Sequence, residues 1–431
     1  MKIRTRLAVL TVGFVTCILM GATLAAQSNN AASEERPQIL PPGLDKRFID
    51  TTADPCVNFF QYACGNFSKY YPIPNDRSGF GTGTVLFEHN EYILHTMLEK
   101  AANGGAERTS NQQKIGDYYA TCTDSAAIDE KGLRPFQAEL DRIAALKDKG
   151  ELTSLFAHYQ LINVNAFLGL GEQQDFKDAT KQIAVTDQGG LGLPERDYYL
   201  RTGDADEKLR KEYVQHITNT LRLIGESESE AASDAQSIFQ LETALAKISM
   251  DITSRRDPKN VYHLTEVCDL QKMTPRLDWA RLLAESRFPS GVSEINVTNP
   301  DFFKGLNGLL DSTDLKTIKA YLRWQLLASA DSTTLPKALD EERFDFNGRK
   351  LRGQPEEQAR WKRCVQATDA ALGEALGQVY VSQEFPASSK AATLQMVQDI
   401  EAAMNQDLDT LDWMSAETKA RAKAKLHAVA D

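Results

Sequence analysis

The chain has 431 residues, 42% of them apolar and 25% charged, with 49 basic and 60 acidic side chains for a net charge of −11. Those values exclude a collagen-like, low-complexity or wholly disordered protein and leave room for two or three domains of roughly 100–200 residues each. An anionic chain without clustered Lys and Arg does not offer the surface that phosphate contacts need, so no nucleic-acid partner is expected.

At the N-terminus, Lys2, Arg4 and Arg6 precede an apolar run from Leu7 to Ala26 that contains no acidic residue. A basic segment followed by an apolar one predicts export, with Thr23-Leu24-Ala25-Ala26 offering small residues at a cleavage point. Uncleaved, residues 7–26 reach the lower length limit for a membrane tether. The expected location is therefore periplasmic, extracellular, or anchored and facing outward. Residues 27–45 are polar and Pro-rich, as in a flexible linker. Cys56, Cys64, Cys122, Cys268 and Cys364 follow, none spaced C-x-x-C. A zinc ribbon or thioredoxin-type site is thus not indicated. Export favours disulfides, and the odd count leaves at least one thiol without a partner in this chain.

Beyond the linker the patterning is mostly helical. Asp54-Pro55 reads as a helix start, with Phe59, Phe60, Ala63 and Phe67 on one face. Pro72-Ile73-Pro74 and the glycines from Gly79 to Gly83 form a turn, and a helix is predicted over 85–102. Glu88, Glu91 and His95 share a face of that helix, which reads as solvated surface. Val164, Ala166, Leu168 and Leu170 alternate, as do Ile183 and Val185, which predicts one small β-hairpin. Apolar residues at helical spacing predict helices over 208–225, 231–250, 365–380 and 394–411, with Gly225 ending the first. Ser415 caps a last helix from Ala416. The fold class is mainly α: a large multi-helix lobe with one hairpin.

Residue types alone assemble no catalytic site. The six imidazoles include no H-E-x-x-H, and neither G-x-S-x-G, a P-loop nor a Rossmann glycine fingerprint occurs in a strand-to-helix context.

Several strings nevertheless resemble the neprilysin and endothelin-converting-enzyme family of zinc metallopeptidases. These are DPCVNFFQYACGNFSKYYPIPNDRSGFG (54–81), KIGDYYATCTD around Cys122, DQGGLGLPERDYYL (187–200), LETALAKIS with SRRDP (241–258), WKRCV (361–365) and LDWMSAETKARAKAKL (411–426). The DQGGLGLPERDYYL string is the most specific of them. The resemblance implies two mainly helical lobes around a chamber that admits small peptides, with zinc as cofactor. In that family H-E-x-x-H, a downstream Glu-x-x-x-Asp and a later His follow the Thr418–Leu426 block. This sequence therefore resembles the N-terminal portion and carries no catalytic residue and no metal ligand. The implied layout is a peptidase N-terminal domain over 46–431, with a helical covering lobe over 76–390 and the start of an incomplete catalytic lobe over 391–431. Truncated or split in this way, it would be inactive alone. The alternative is a non-catalytic protein binding peptides or a separate catalytic half.

The resemblance also implies a Cys122–Cys364 disulfide. It leaves Cys56 and Cys64 without partners here, because their partners lie in the catalytic portion. Eight residues apart on one helix, these two would sit about 12 Å from each other, too far to bridge. Cys268 falls outside the family pattern and is expected to be a buried free thiol. Family members carry an Arg before the aromatic-Gly pair that can bind a substrate carboxylate; here that position is Gly79, and Arg77 is the candidate substitute. Arg255, Arg256 and Asp257 read as an ion pair joining helices, and Gly189–Pro194 as a loop needing unusual backbone angles. A stand-alone protein should carry polar residues where the family packs its catalytic lobe, whereas Phe59, Phe60 and the face from Leu394 to Leu411 read as buried; a large exposed patch would mark a missing partner. Asn66-Phe67-Ser68 and Asn296-Val297-Thr298 are glycosylation sequons.

Overall fold

A computed structural model describes residues 43–105 and 107–430. It divides into two compact units, one of residues 43–71 with 81–96, the other of residues 72–80 with 97–430. The export segment and the linker up to residue 42 lie outside the described residues.

In the first unit, α1 (Phe59–Cys64) starts one turn later than Asp54-Pro55 suggested. Asn58 takes the capping role, accepting from the Gln61 amide at 3.0 Å, while Asp54 closes a separate turn on the Cys56 amide. Cys56 consequently lies outside the helix, so the spacing argument for Cys56 and Cys64 does not apply; both are exposed free thiols. Phe59 and Phe60 are 68% and 75% exposed rather than buried. The long α2 (Thr82–Ala102) runs on into the second unit. Glu91 is buried and Glu88 and His95 are half-buried, so that row is not a solvated face. Glu91 lies seven positions before the buried Leu98, on the same helix stripe.

The second unit is built from helices whose ends follow from local chemistry. A capping box between Thr109 and Gln112 opens α3 (Ser110–Thr123), and α4 (Leu152–Leu161) buries Leu155, Phe156 and Tyr159. The hairpin β1 (Leu168–Gln174) and β2 (Gln182–Gln188) pairs antiparallel with Leu168 opposite Gln188. Helix α5 (Asp204–Leu223) buries Tyr213, His216, Ile217, Thr220 and Leu221, the spacing of one apolar face. Gly225, at φ +106°, follows its end as expected. Ser227 caps α6 (Glu228–Ile248). Two strands absent from the sequence reading, β3 (Leu264–Glu266) and β4 (Glu294–Val297), extend the hairpin into a sheet ordered β1-β2-β4-β3. In it β4 runs parallel to β2 and antiparallel to β3. Three- and four-residue strands are too short to show a period of two.

Asn299-Pro300 starts α7 (Pro300–Ser312), and Asp314 caps α8 (Leu315–Ser329), whose buried face includes Tyr321, Leu322 and Trp324. Helix α9 (Lys337–Phe344) passes into a π-helical turn, Asp345–Lys350. Then come α10 (Arg360–Glu384), α11 (Ala387–Thr410) and α12 (Ala416–Leu426), the last capped by Ser415. On α11 only Leu408 is buried; Leu394, Met396, Met404 and Ile400 (61%) are exposed. Periodicity marks that face as one to be covered, and nothing among the described residues covers it. Cys268 is exposed rather than buried, because the helix Val267–Met273 turns only Leu270 inward. Asn296 is fully buried in β4, its amide donating to the Val261 carbonyl at 2.9 Å, so that sequon is closed to modification in the folded chain.

Candidate functional site

Where β2 ends, the chain enters Gly189-Gly190-Leu191-Gly192-Leu193-Pro194. Gly190 has φ +87°, and its carbonyl accepts from the Tyr321 hydroxyl (2.8 Å) and the Gln325 amide (3.1 Å). A Cβ there would meet the Tyr321 hydroxyl and the Phe167 backbone, and one at Gly192 would overlap the Tyr213 hydroxyl. The loop thus needs glycine at one position for its angle as well as its space, and at the other for space alone.

Beneath the loop sits Glu242 of α6, fully buried. Its Oε2 accepts from the hydroxyls of Tyr199 (2.8 Å) and Tyr213 (2.6 Å), and its Oε1 from Trp324 Nε1 and Gln325 Nε2, both at 3.1 Å. Tyr199 in turn accepts from the amides of Gly192 and Leu193. Burial pushes the Glu242 carboxyl up to about 7, against the opposing pull of these hydrogen bonds. Burial, with the charge of Glu242, raises Tyr199 and Tyr213 well above the ordinary phenol range. Sequence reading missed Glu242 as a centre, although the signal was there: an acid next to Leu241 and three before Leu245, on the apolar stripe of its helix.

Other quoted motifs converge on the same loop. The Asp187 carboxylate accepts from Arg255 and from the Thr298 hydroxyl. This ion pair joins the end of β2 to the turn Ser254–Arg256 rather than helix to helix. Gln188 exchanges hydrogen bonds with the Met250 backbone (2.8 and 3.0 Å), and Arg196 donates to the Ser249 carbonyl at 2.6 Å. Every hydrogen-bonding capacity of the Glu242 carboxylate is directed at holding the loop and its neighbours, which makes this cluster a scaffold rather than an acid–base centre.

Cys122 on α3 is bonded to Cys364 on α10, with Cα atoms 5.7 Å apart. The Arg360 guanidinium donates to the Cys122 carbonyl (2.7 Å) and the Thr333 carbonyl (2.5 Å) beside it. Arg77 lies half-buried in the 72–80 loop. That loop is tied down by Asn75 to Glu356 (3.0 Å) and by Asp76 to the buried Lys362 (3.3 Å). The imidazoles are dispersed. His158 pairs with Glu139 (2.8 Å), His216 with Glu342 (3.0 Å), and His263 Nδ1 lies 3.1 Å from the Val297 carbonyl. Among the described residues no three His, Cys, Asp or Glu side chains are grouped to hold a metal, so the residues present do not fit a zinc site.

Residues 55–431 match the model of peptidase family M13. The chain is 31% identical over 397 residues to human endothelin-converting enzyme 1, covering 88% of this chain and 50% of that protein. It is 31% identical to the rat endothelin-converting enzyme-like 1 over 95% of this chain and 56% of that protein. It therefore spans about half the length of the curated relatives it matches. Among solved structures, the Mycobacterium tuberculosis zinc metalloprotease ZMP1 in complex with an inhibitor superposes with TM-score 0.83 at 30% identity, covering 90% of this chain and 59% of that one. PepO of Lactobacillus rhamnosis has the same fold at TM-score 0.75 and 19% identity, covering 86% of this chain and 58% of that one. A mainly helical chain with these motifs, in this order and held in this arrangement, belongs to peptidase family M13.

Proposed function

We propose that these residues form the N-terminal, chamber-covering part of an exported zinc metalloendopeptidase that acts on small peptides, and that they have no hydrolytic activity alone. The match to the peptidase family across residues 55–431 carries this reading. The mycobacterial neighbour is named a zinc metalloprotease, which supports zinc as the cofactor of the whole enzyme. Because the sequence has no H-E-x-x-H and the described residues form no metal cluster, the zinc ligands and the general base would come from residues outside these 431. The basic and apolar segment before residue 27 supports export or an outward-facing tether. No helix among the described residues is long and apolar enough to cross a membrane.

The second reading, a lobe that serves a separately encoded catalytic half, is favoured over a free-standing binding protein by the exposed Phe59 and Phe60 on one unit and by Met396, Ile400 and Met404 on the other. Reading the genomic sequence beyond codon 431 tests both. An H-E-x-x-H segment in frame supports the single enzyme, and one past a stop or frame change supports the split form. Its absence from the neighbouring sequence would contradict both.

A further inference from the structure

Within the second unit, α5, α8, α9, the π-helical turn and α10 enclose a cavity of about 620 Å³, floored by Tyr213, His216 and Trp324. That volume is in the range of small-molecule sites. Its walls carry both signs of charge, three cations and three acids. Three guanidinium groups line it, Arg343, Arg352 and Arg363, and Arg360 stands one helical turn before the last of these. Facing them are the carboxylates of Asp331, Asp340 and Glu357.

Those carboxylates are already engaged. Asp340 takes both hydrogen bonds from Arg363 (3.0 and 2.8 Å), and Glu357 pairs with the same guanidinium at 2.9 Å. Asp331 caps the turn Ser332–Thr334 through the amide and hydroxyl of Thr333, at 2.7 and 2.6 Å. Burial and the adjacent Asp340 also hold Glu357 up near 7, so part of its charge is absent at neutral pH. Arg343 donates from one nitrogen to the Ala330 carbonyl and, among the described residues, forms no ion pair, although the charges of Asp331 and Asp340 act on it. Burial pushes this half-buried cation down from the ordinary range, opposed by those two carboxylates and aided by Arg352. Arg352 is exposed at the rim and enters no hydrogen bond or ion pair among the described residues.

Two guanidiniums that line one polar cavity, interact electrostatically with each other and enter no ion pair among the described residues can form a fork for an oxyanion. The backbone supports the arrangement. The π-helical turn places Asn347 and Gly348 in the wall, and Gly348 lies so close to the Phe344 ring that a Cβ would overlap it. Such turns concentrate at functional sites.

We propose that this cavity is a binding site for a small, doubly charged oxyanion, a phosphate ester or a polycarboxylate, gripped by Arg343 and Arg352. The proposal is independent of where the zinc ligands reside. Calorimetric titration of the purified chain with inorganic phosphate, and separately with citrate, at constant ionic strength tests it. One saturable site for either probe is expected; phosphate alone would indicate a phosphate-bearing ligand, citrate alone a carboxylate. Arg352→Gln, exposed and unpaired and so harmless to folding, should weaken binding at least about tenfold, and Arg343→Gln at least as much. Arg142→Gln, on a distant surface, should change nothing. Absence of saturable binding by both probes, or binding unaltered in the Arg343→Gln and Arg352→Gln proteins, would overturn the assignment.

Discussion

Glu242 shows what a single buried carboxyl does to this lobe. Its folded-state pKa near 7 lies above the ordinary 4.5, so the native chain holds that proton more tightly than the unfolded one. The associated stability is complete below about pH 4.5 and is lost as pH rises through 7, by about 3 kcal/mol at most. His216 acts in the opposite sense. Burial lowers it from 6.5, so its contribution falls away as the pH drops below that value. The two are separated by Glu242→Gln, whose stability measured by denaturant titration from pH 5 to 8 should lose the wild-type decline; an unchanged slope would remove Glu242 as its source. Gly190→Ala and Gly192→Ala should each cost about 2 kcal/mol or more, the first through its positive φ and both through overlap with tyrosine hydroxyls. The glycines were legible as a loop with special needs. Glu242 was not, because a sequence shows that an acid lies on an apolar stripe but not which hydroxyls will meet it there.

At the scale of elements, what could be read was what local chemistry decides. The helix over 231–250 is realised as α6, and the caps at Ser415 and Gly225 lie where expected, since local groups satisfy each end: the Ser415 side chain accepts from the Thr418 amide, and the Gly225 amide donates to the Arg222 carbonyl. What required distant partners was misread. The strand β4 exists through its pairing with β2 and β3, and the exposure of α11 depends on what lies beside that helix rather than on its own pattern. Two substitutions contrast these cases. Ile238→Ala in the packed α6 should destabilise by about 2–4 kcal/mol, whereas Ile400→Ser on α11 should stay within about 0.5 kcal/mol in chemical denaturation of this chain. The disulfide joins α3 to α10 across 242 residues of sequence. In the chain-entropy view a closed loop of that length restricts the unfolded ensemble by about 5 kcal/mol. Replacing Cys122 and Cys364 together by Ala should therefore lower the unfolding free energy by about 3–5 kcal/mol; equal stability of the variant would show that the α3–α10 packing suffices without the bond.

For the whole molecule, composition and patterning gave the mainly α class, and the order of short motifs gave the family, because each motif keeps its residues for a structural duty. Asp187 anchors Arg255, Tyr199 carries the glycine loop, and Arg360 braces the disulfide. The oxyanion cavity was invisible in sequence, since Arg343 and Arg352 belong to an ordinary-looking charged stretch and acquire their shared role only through the π-helical turn. The proposed hydrolysis would depend on a metal cage, and among the described residues no three His, Cys, Asp or Glu side chains form one. Metal analysis of the purified 431-residue chain, paired with a fluorogenic short-peptide assay run with and without a chelator, tests that dependence most directly. The expected result is no stoichiometric zinc and no chelator-sensitive cleavage; one tightly held zinc per chain together with turnover that a chelator abolishes would contradict it.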